Sequence, residues 1–275
     1  MPYLAQDEGL FEKEGVVVQL ETAPGGGQMQ LPLVVGAEFD LGVAGAGDVL
    51  ALSQSSPLVA IVGVGSVFDG DLDTTTSALI TDDPAITRPA DFQGRTVALN
   101  SIGGQIEASV KALVHEDGGD PAKVTFVQVP VQNSVTAVAN GQVDVSNTSE
   151  PFLTLATEEG MRSVASVEHP VDGLPGATYF GTKENVAARS EDIDAFIRAM
   201  QSAAEIANED PELVRDLIAK HTETDPVLLD RVTKFPVFAE TGDASTYQAF
   251  ARFMANWDAV PAVPAEQDWL YVPAD

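Results

Sequence analysis

Apolar and polar positions along the chain follow short periods that change between those of strands and those of helices. Runs of strand length are predicted as strands at 16–21, 39–45, 57–65, 77–81, 96–100, 123–129, 142–147, 161–167 and 177–182. Helical spacing is predicted at 3–13, 105–118, 133–141, 150–160, 191–208, 211–221, 225–235 and 244–257. The Pro-rich tail is predicted to lie on the surface, anchored by Trp257 or Trp269.

Strands that alternate with helices through short loops indicate an α/β fold with parallel-rich sheets covered by helices on both faces. The alternation runs once to about residue 80 and then restarts, which predicts two lobes. We expect the chain to cross between the lobes near 78–82 and 177–182. Lobe I is then residues 1–80 plus 180–275, and lobe II is residues 83–176.

Small and hydrogen-bonding residues follow most of the predicted strands, and most of these turns open a helix. Ligands of open α/β sheets lie beyond the carboxyl ends of the strands, where helix N-termini offer unpaired N–H groups. Each turn alone is typical of an ordinary strand-to-helix connection, but several on one rim predict a binding pocket. The candidate ligand-binding residues are Gly25, Gly26, Gly27, Gln28, Gly45, Ala46, Gly47, Asp48, Ser101, Ile102, Gly103, Gly104, Gln132, Thr148 and Glu150.

Charge and residue usage exclude several classes of function. The net charge of −28, from 42 acidic and 14 basic residues, disfavours binding to nucleic acid or to anionic lipid. The absence of cysteine excludes disulfides and thiolate catalysis. No apolar stretch is long enough to span a membrane, and the sequence as given does not open with a signal segment.

No motif indicates catalysis, a metal or a cofactor. The Gly-rich turns lack the endings of nucleotide-binding loops, and the three histidines stand alone without ligand spacing. Acidic loops such as the one containing Asp69, Asp71 and Asp73 are conceivable calcium ligands, but a solvated loop explains them better. We therefore predict no catalytic residue, no metal and no cofactor.

Several ordered segments of the sequence resemble one known family. These are "YLAQDEGLFEKEGVVVQLE", "GGGQMQLPLVVGAEFDLGVAGAGDVLAL", and the stretch that begins "DFQGRTVALNSIGG" and includes "GQVDVSNTSEPFLTLA". They are similar to the sulfonate, nitrate, taurine and thiamine-precursor binding family, the substrate-binding proteins of ABC importers. The resemblance covers roughly residues 3–200, and its strength lies in the order and spacing of motifs that are weak singly.

The resemblance implies the two-lobed periplasmic-binding-protein fold of type II, with two hinge crossings and a ligand cleft between the lobes. It implies a receptor that is periplasmic or at the cell surface, lipid-anchored or secreted, and that presents its solute to membrane permease subunits. We expect a monomer. Carried onto this sequence, the resemblance adds Tyr179 as a residue that closes over the ligand, and it gives Glu150 either ligand contact or a role as a helix N-terminal carboxylate.

The function hypothesis is therefore a solute receptor for a sulfonate, a carboxylate or a nitrogen heterocycle. The expected cleft loops contain Asp48 and Glu150 but no Lys or Arg, which favours a molecule that carries its own hydrogen-bond donors. The alternative is an enzyme on the same fold, related to the pyrimidine synthases of thiamine-precursor synthesis. A sensor domain would need a fused output segment, and the sequence as given contains none.

Overall fold

The computed structural model describes residues 1–21, 27–222 and 224–273. The helices are α1 (Pro2–Asp7), α2 (Leu10–Lys13), α3 (Gly27–Val35), α4 (Ala46–Ser53), α5 (Gln105–Glu116), α6 (Ser134–Ala139), α7 (Phe152–Glu158), α8 (Lys183–Ala188), α9 (Ser190–Glu209), α10 (Pro211–His221), α11 (Pro226–Leu229), α12 (Ala244–Asn256) and α13 (Glu266–Trp269). The strands are β1 (Gly42–Gly45), β2 (Leu58–Val67), β3 (Ser77–Thr81), β4 (Thr96–Leu99), β5 (Thr125–Gln128), β6 (Val145–Ser149), β7 (Arg162–Ser166), β8 (Pro175–Thr182), β9 (Val237–Phe238) and β10 (Leu270–Tyr271).

These elements confirm the predicted α/β class, with two sheets flanked by helices. Across the described residues, the first sheet has the order β1-β8-β2-β10, with β9 also paired to β2. The second sheet has the order β5-β4-β6-β3-β7. Clusters of buried side chains lie on both faces of each sheet, as expected when helices cover both faces.

The sheets contain more antiparallel pairing than the sequence predicts. Strand β8 runs antiparallel to both of its neighbours, β1 and β2, and β3 runs antiparallel to β6 and β7. Parallel pairs join β4 to β5 and β6, and β10 to β2. The strands on either side of each passage between the sheets account for the difference, because they arrive without a crossover helix.

The passages between the sheets lie earlier in the chain than predicted. The chain leaves the first sheet after Val67 and enters the second at Ser77, and it returns between Ser166 and Pro175. The expected crossings near 78–82 and 177–182 instead overlap strands β3 and β8. Residues 77–80, placed in lobe I by the sequence, pair with β6 and β7 of the second sheet. Apolar alternation identifies such a strand but carries no information about its partner.

The predicted strand at 16–21 is not part of either sheet. Val16 is buried, but the Val17 side chain is 94% exposed. A groove of about 690 Å³ lies between this segment and residues 38–43, which include the start of β1. A strand needs a neighbouring edge for its backbone hydrogen bonds, and the groove separates this segment from that edge.

The C-terminal tail is anchored by Trp269, which resolves the alternative left open by the sequence. Its side chain is fully buried, while Trp257 is only partly buried. Strand β10 continues the first sheet by pairing in parallel with β2, with Leu270 opposite Ala60. Over the described ranges, we find no helix with the length and apolar character that a membrane crossing requires.

Candidate functional site

A cavity of about 220 Å³ lies where the two passages between the sheets run side by side. Both halves of the molecule contribute to its wall, because the ends of β2 and β8 belong to the first sheet and the start of α5 belongs with the second. The lining residues are Ser66, Val67, Phe68, Asp69, Thr74, Thr76, Gln105, Glu168, Gly176, Ala177, Phe235, Pro236 and Val237. Six of these thirteen residues are polar or charged, and the other seven are apolar. A wall that combines apolar surface with convergent polar groups is typical of small-molecule sites.

Glu168 is the buried acid of this cavity, with only 8% of its surface exposed. Its Oε2 accepts the Asp69 N–H at 3.0 Å, and its Oε1 accepts the Thr76 hydroxyl at 3.4 Å. These bonds join the two passages to each other, since Asp69 and Thr76 lie on the first and Glu168 on the second. Burial raises the pKa of Glu168 from 4.5 to about 7, and the nearby Asp69 charge acts in the same direction.

Gln105 brings the second half of the molecule to the same cavity. It is the first residue of α5, and its Nε2 is buried without a hydrogen-bond partner among the described residues. A Cβ built on Gly47 would lie 3.4 Å from the Gln105 Cβ, so the first turns of α4 and α5 are in contact. An unsatisfied buried donor is costly, and an acceptor placed in the cavity would satisfy it.

The first two predicted loops lie at the starts of helices α3 and α4, as far as the structure describes them. Gly25 and Gly26 lie outside the described residues, while Gly27 and Gln28 form the start of α3. Gly45 precedes α4, which begins at Ala46 and includes Gly47. Asp48 lies within the first turn of this helix, whose N-cap residue is Gly45.

The predicted loop Ser101–Gly104 precedes α5, where Gly104 is the N-cap residue. Ile102 is 48% exposed. The Gly103 N–H donates to Glu107 Oε2 at 2.8 Å, and Glu107 Oε1 also lies 2.6 Å from Lys111 Nζ. The Glu107 carboxylate therefore accepts a backbone N–H group that the sequence analysis assigned to ligand binding.

The remaining predicted residues of the second half have protein partners or face solvent. Gln132 is exposed, and Thr148 is fully buried with its hydroxyl 2.7 Å from Ser134 Oγ. Glu150 Oε2 accepts the Thr154 N–H at 3.1 Å and the Thr154 hydroxyl at 2.9 Å, and burial raises its pKa. The structure thus gives Glu150 the role of a helix N-terminal carboxylate at α7, one of the two roles considered for it.

Tyr179 lies away from the cavity. It is 9% exposed, packs edge-on against Phe196 with ring centroids 5.3 Å apart, and lines the groove beside residues 16–21. Burial raises the pKa of its hydroxyl. Tyr179 therefore does not line the cavity that contains Gln105 and Glu168, and its role as a lid over the ligand stays a prediction.

Sequence reasoning missed Glu168, Gln105, Asp69, Thr76 and Phe235 as cavity residues. A weak signal existed for Glu168, which follows strand β7 as the other candidates follow their strands. Asp69 was considered only as part of an acidic loop. Within the described ranges, no three His, Asp or Glu side chains are placed to hold a metal ion together.

The raised pKa of Glu168 predicts a specific pH dependence of stability. Because the folded pKa exceeds the unfolded one, the folded protein holds an extra proton between about pH 4.5 and 7. Stability should therefore fall as pH rises through this window, with a slope of up to about 1.4 kcal/mol per pH unit from this group. The measurement is urea unfolding at several pH values for the wild type and Glu168→Gln, whose difference isolates Glu168. A difference that is flat from pH 4.5 to 7 would contradict the prediction.

A family model described as "NMT1/THI5 like" matches residues 1–213 of this chain. No curated protein matches the sequence.

Solved structures similar to this chain share its fold at low sequence identity. The alkanesulfonate-binding protein SsuA from Xanthomonas axonopodis pv. citri, bound to MOPS, is 19% identical, with a TM-score of 0.74 over 98% of this chain and 93% of that chain. The periplasmic aliphatic sulphonate binding protein SsuA from Escherichia coli is 18% identical, with a TM-score of 0.74 over 99% and 88%. The desulfurization enzyme DSZB is 12% identical, with a TM-score of 0.67 over 98% and 92%. The fold is that of the periplasmic binding proteins.

Proposed function

The chain belongs to the NMT1/THI5-like family, and on that premise we propose that it is an extracytoplasmic receptor that binds one small organic solute and delivers it to an ABC importer. The two sheets with their helices act as the two lobes, and residues 68–76 and 167–174 act as the hinge between them. The permease subunits of the importer are its partners, and the receptor works as a monomer.

One observation carries this proposal: the cavity at the two passages takes its wall from both halves of the molecule. Ser66 and Ala177 belong to the first sheet, and Gln105 begins the helix that follows β4 of the second sheet. A solute that contacts both halves stabilises only the closed arrangement. About 5.5 kcal/mol of differential affinity converts a mostly open population into a mostly closed one. The similarity to the sulfonate-binding SsuA proteins supports the same function.

An enzyme on this fold is the second candidate, because DSZB shares the fold. The cavity residues do not favour it. The described lining contains no His or Lys. Glu168 is the group whose pKa suits a general base, but its contact with the Thr76 hydroxyl is long, at 3.4 Å, and its other oxygen accepts the Asp69 N–H. The Ser66 hydroxyl oxygen is already occupied by the Ala177 N–H at 2.9 Å.

The receptor function predicts stabilisation by a solute that is not consumed. A solute at a hundred times its Kd should raise the free energy of unfolding by about 2.7 kcal/mol, because it binds only the folded protein. The melting temperature should then rise by about 2–4 °C for each kcal/mol. The measurement is thermal unfolding against a panel of small sulfonates, carboxylates, amines, amidines and nitrogen heterocycles.

Closure and turnover distinguish the two candidate functions. A receptor should become more compact in small-angle X-ray scattering when its solute is added, and mass spectrometry should recover the solute unchanged. Conversion of any panel member into a product would contradict the receptor function and support the enzyme function. A panel without a single stabilising member would argue against both functions.

A further inference from the structure

We propose that the solute of this receptor is a small organic cation, an ammonium or amidinium that also carries a hydrogen-bond acceptor, and that it binds between Glu168 and Gln105 in the cavity at the two passages. This inference rests on the proposed function and specifies its substrate class. It departs from the sulfonates named for the structurally similar SsuA proteins.

Glu168 is a carboxylate that is more than nine-tenths buried and has no cationic partner within the described residues. Its hydrogen bonds come from the Asp69 N–H and the Thr76 hydroxyl, which are neutral donors. A buried charge is costly unless it is paired. A cation in the cavity would supply the missing partner, and an anion there would be repelled by Glu168 and by Asp69.

The helix N-termini near the cavity do not offer an anion site. Three of them carry an acid of the protein in or just before the first turn: Asp48 at α4, Glu107 at α5 and Glu150 at α7. Glu107 accepts the Gly103 N–H, and Glu150 accepts the Thr154 N–H. These carboxylates offset the partial positive charge of the helix ends, so the helices do not attract a sulfonate.

The cavity wall is electronegative and partly aromatic. Among its described lining residues, Asp69 and Glu168 are acidic and none is Lys, Arg or His. Lys234 lies next to the lining, but its Nζ donates to the Leu72 carbonyl at 3.1 Å. Phe68 and Phe235 also line the cavity. The Arg215 guanidinium already lies 5.5 Å from the centroid of the Phe235 ring, so Phe68 is the aromatic residue available to a solute cation.

Gln105 specifies the second group of the solute. Its Nε2 is a buried donor without a partner in the described part of the chain, so an acceptor on the solute would complete it. Gln105 begins the helix that follows β4, and Glu168 lies on the second passage just after β7. A molecule bound between them that also contacts Ser66 or Ala177 of the first sheet therefore joins the two halves. The cavity of about 220 Å³ is smaller than the roughly 300 Å³ at the low end for drug-sized ligands, which favours a small solute.

The test measures binding by isothermal titration calorimetry of the full chain with three probes of similar length. The probes are 4-aminobutanamide, which has a cation and an acceptor, butylamine, which has only the cation, and butanesulfonate. We expect 4-aminobutanamide to bind most tightly, butylamine more weakly and butanesulfonate not at all. Glu168→Gln should weaken both cations at least about 10-fold, because it removes a charge-assisted hydrogen bond. Gln105→Met should weaken 4-aminobutanamide and leave butylamine unchanged.

Glu205→Gln is the matched control, because Glu205 is exposed and the change alters net charge by the same amount. It should leave the binding of all three probes unchanged. If butanesulfonate or a neutral solute binds more tightly than the cations, the inference is overturned and the receptor function stands. If Glu168→Gln does not fold, wild-type affinity for the cations must rise with pH as Glu168 ionises, and a constant affinity would overturn the inference. If neither the cationic probes nor butanesulfonate nor any other member of the solute panel binds, the proposed function itself fails.

Discussion

Gly65→Ala is expected to destabilise the protein by about 4 kcal/mol or more, which belongs to the exceptional range for a single substitution. Gly65 lies in β2 with φ +121°, and an added Cβ would lie 2.0 Å from the Ala177 carbonyl oxygen of β8. That atom is backbone, so the clash requires the two central strands of the first sheet to separate. The measurement is the free energy of unfolding in urea, followed by circular dichroism.

Gly94→Ala is the matched control for this prediction. Gly94 also has a positive φ, +76°, but a Cβ there would meet no atom within 4 Å. It should cost only the strain of a left-handed alanine, about 1–2 kcal/mol. Equal costs at Gly65 and Gly94 would show that strand separation adds nothing, and would contradict the close approach of β2 and β8.

The same substitution should also abolish solute binding in any Gly65→Ala protein that folds. Ser66 and Val67 follow Gly65 and line the cavity, and the Gly65–Thr178 pair lies where the register of β2 and β8 shifts. The control Gly94 is not among the lining residues and should keep its affinity. Stability and binding should therefore depend on the same close approach of β2 and β8.

The local elements could be predicted from the sequence because their signals are local. The Asp-Pro pairs at 210–211 and 225–226 begin helices α10 and α11. The Asp210 side chain accepts two backbone N–H groups of its helix, and the Asp225 side chain accepts one. Period-2 and period-3.6 patterns identified strands such as β3 and helices such as α12 within a few residues. These features need only neighbouring residues, so one sequence suffices.

The pairing of strands could not be predicted in the same way. Strand β3 pairs with residues about 70 positions away in β6 and about 90 away in β7, as in the Ala78–Thr148 and Ala78–Ser166 pairs. Strand β8 lies between β1 and β2 in the first sheet, although all the strands of the second sheet separate it from them in the sequence. Such choices depend on which edges are free in three dimensions, and the periodicity of one strand does not contain that information.

The candidate site shows the same division. The turns after strands were correctly identified as neighbours of helix starts, and the contact between Gly47 and Gln105 brings two of them together. Their amides, however, are partly taken by Glu107 and Glu150, whose positions at helix starts were visible in the sequence. The importance of Glu168 depends on its burial between the two passages, which only the fold reveals.

Trp269→Ala is expected to cost about 3–5 kcal/mol, the usual range for removing a fully buried aromatic side chain. The Trp269 side chain is 0% exposed and lies 6.0 Å from the Tyr247 ring, centroid to centroid. When the side-chain oxygen of Gln248 faces the Trp269 indole N–H and the Glu266 backbone N–H, it accepts the indole N–H at 3.1 Å. Loss of the ring also releases β10, whose Leu270 pairs with Ala60 of β2.

The two tryptophans of the chain make this prediction easy to check. Trp257→Ala is the control, because Trp257 is only partly buried and packs edge-on against His115 at 5.7 Å. It should cost about 1 kcal/mol, and the fluorescence that remains should be the blue-shifted emission of buried Trp269. Trp269→Ala should lower the melting temperature by about 2–4 °C for each kcal/mol lost and leave only the red-shifted emission of Trp257. The tail extends the first sheet by pairing β10 with β2, and the far end of β2 lines the cavity. Equal losses of stability in Trp269→Ala and Trp257→Ala would mean that the tail contributes nothing to the stability of that sheet.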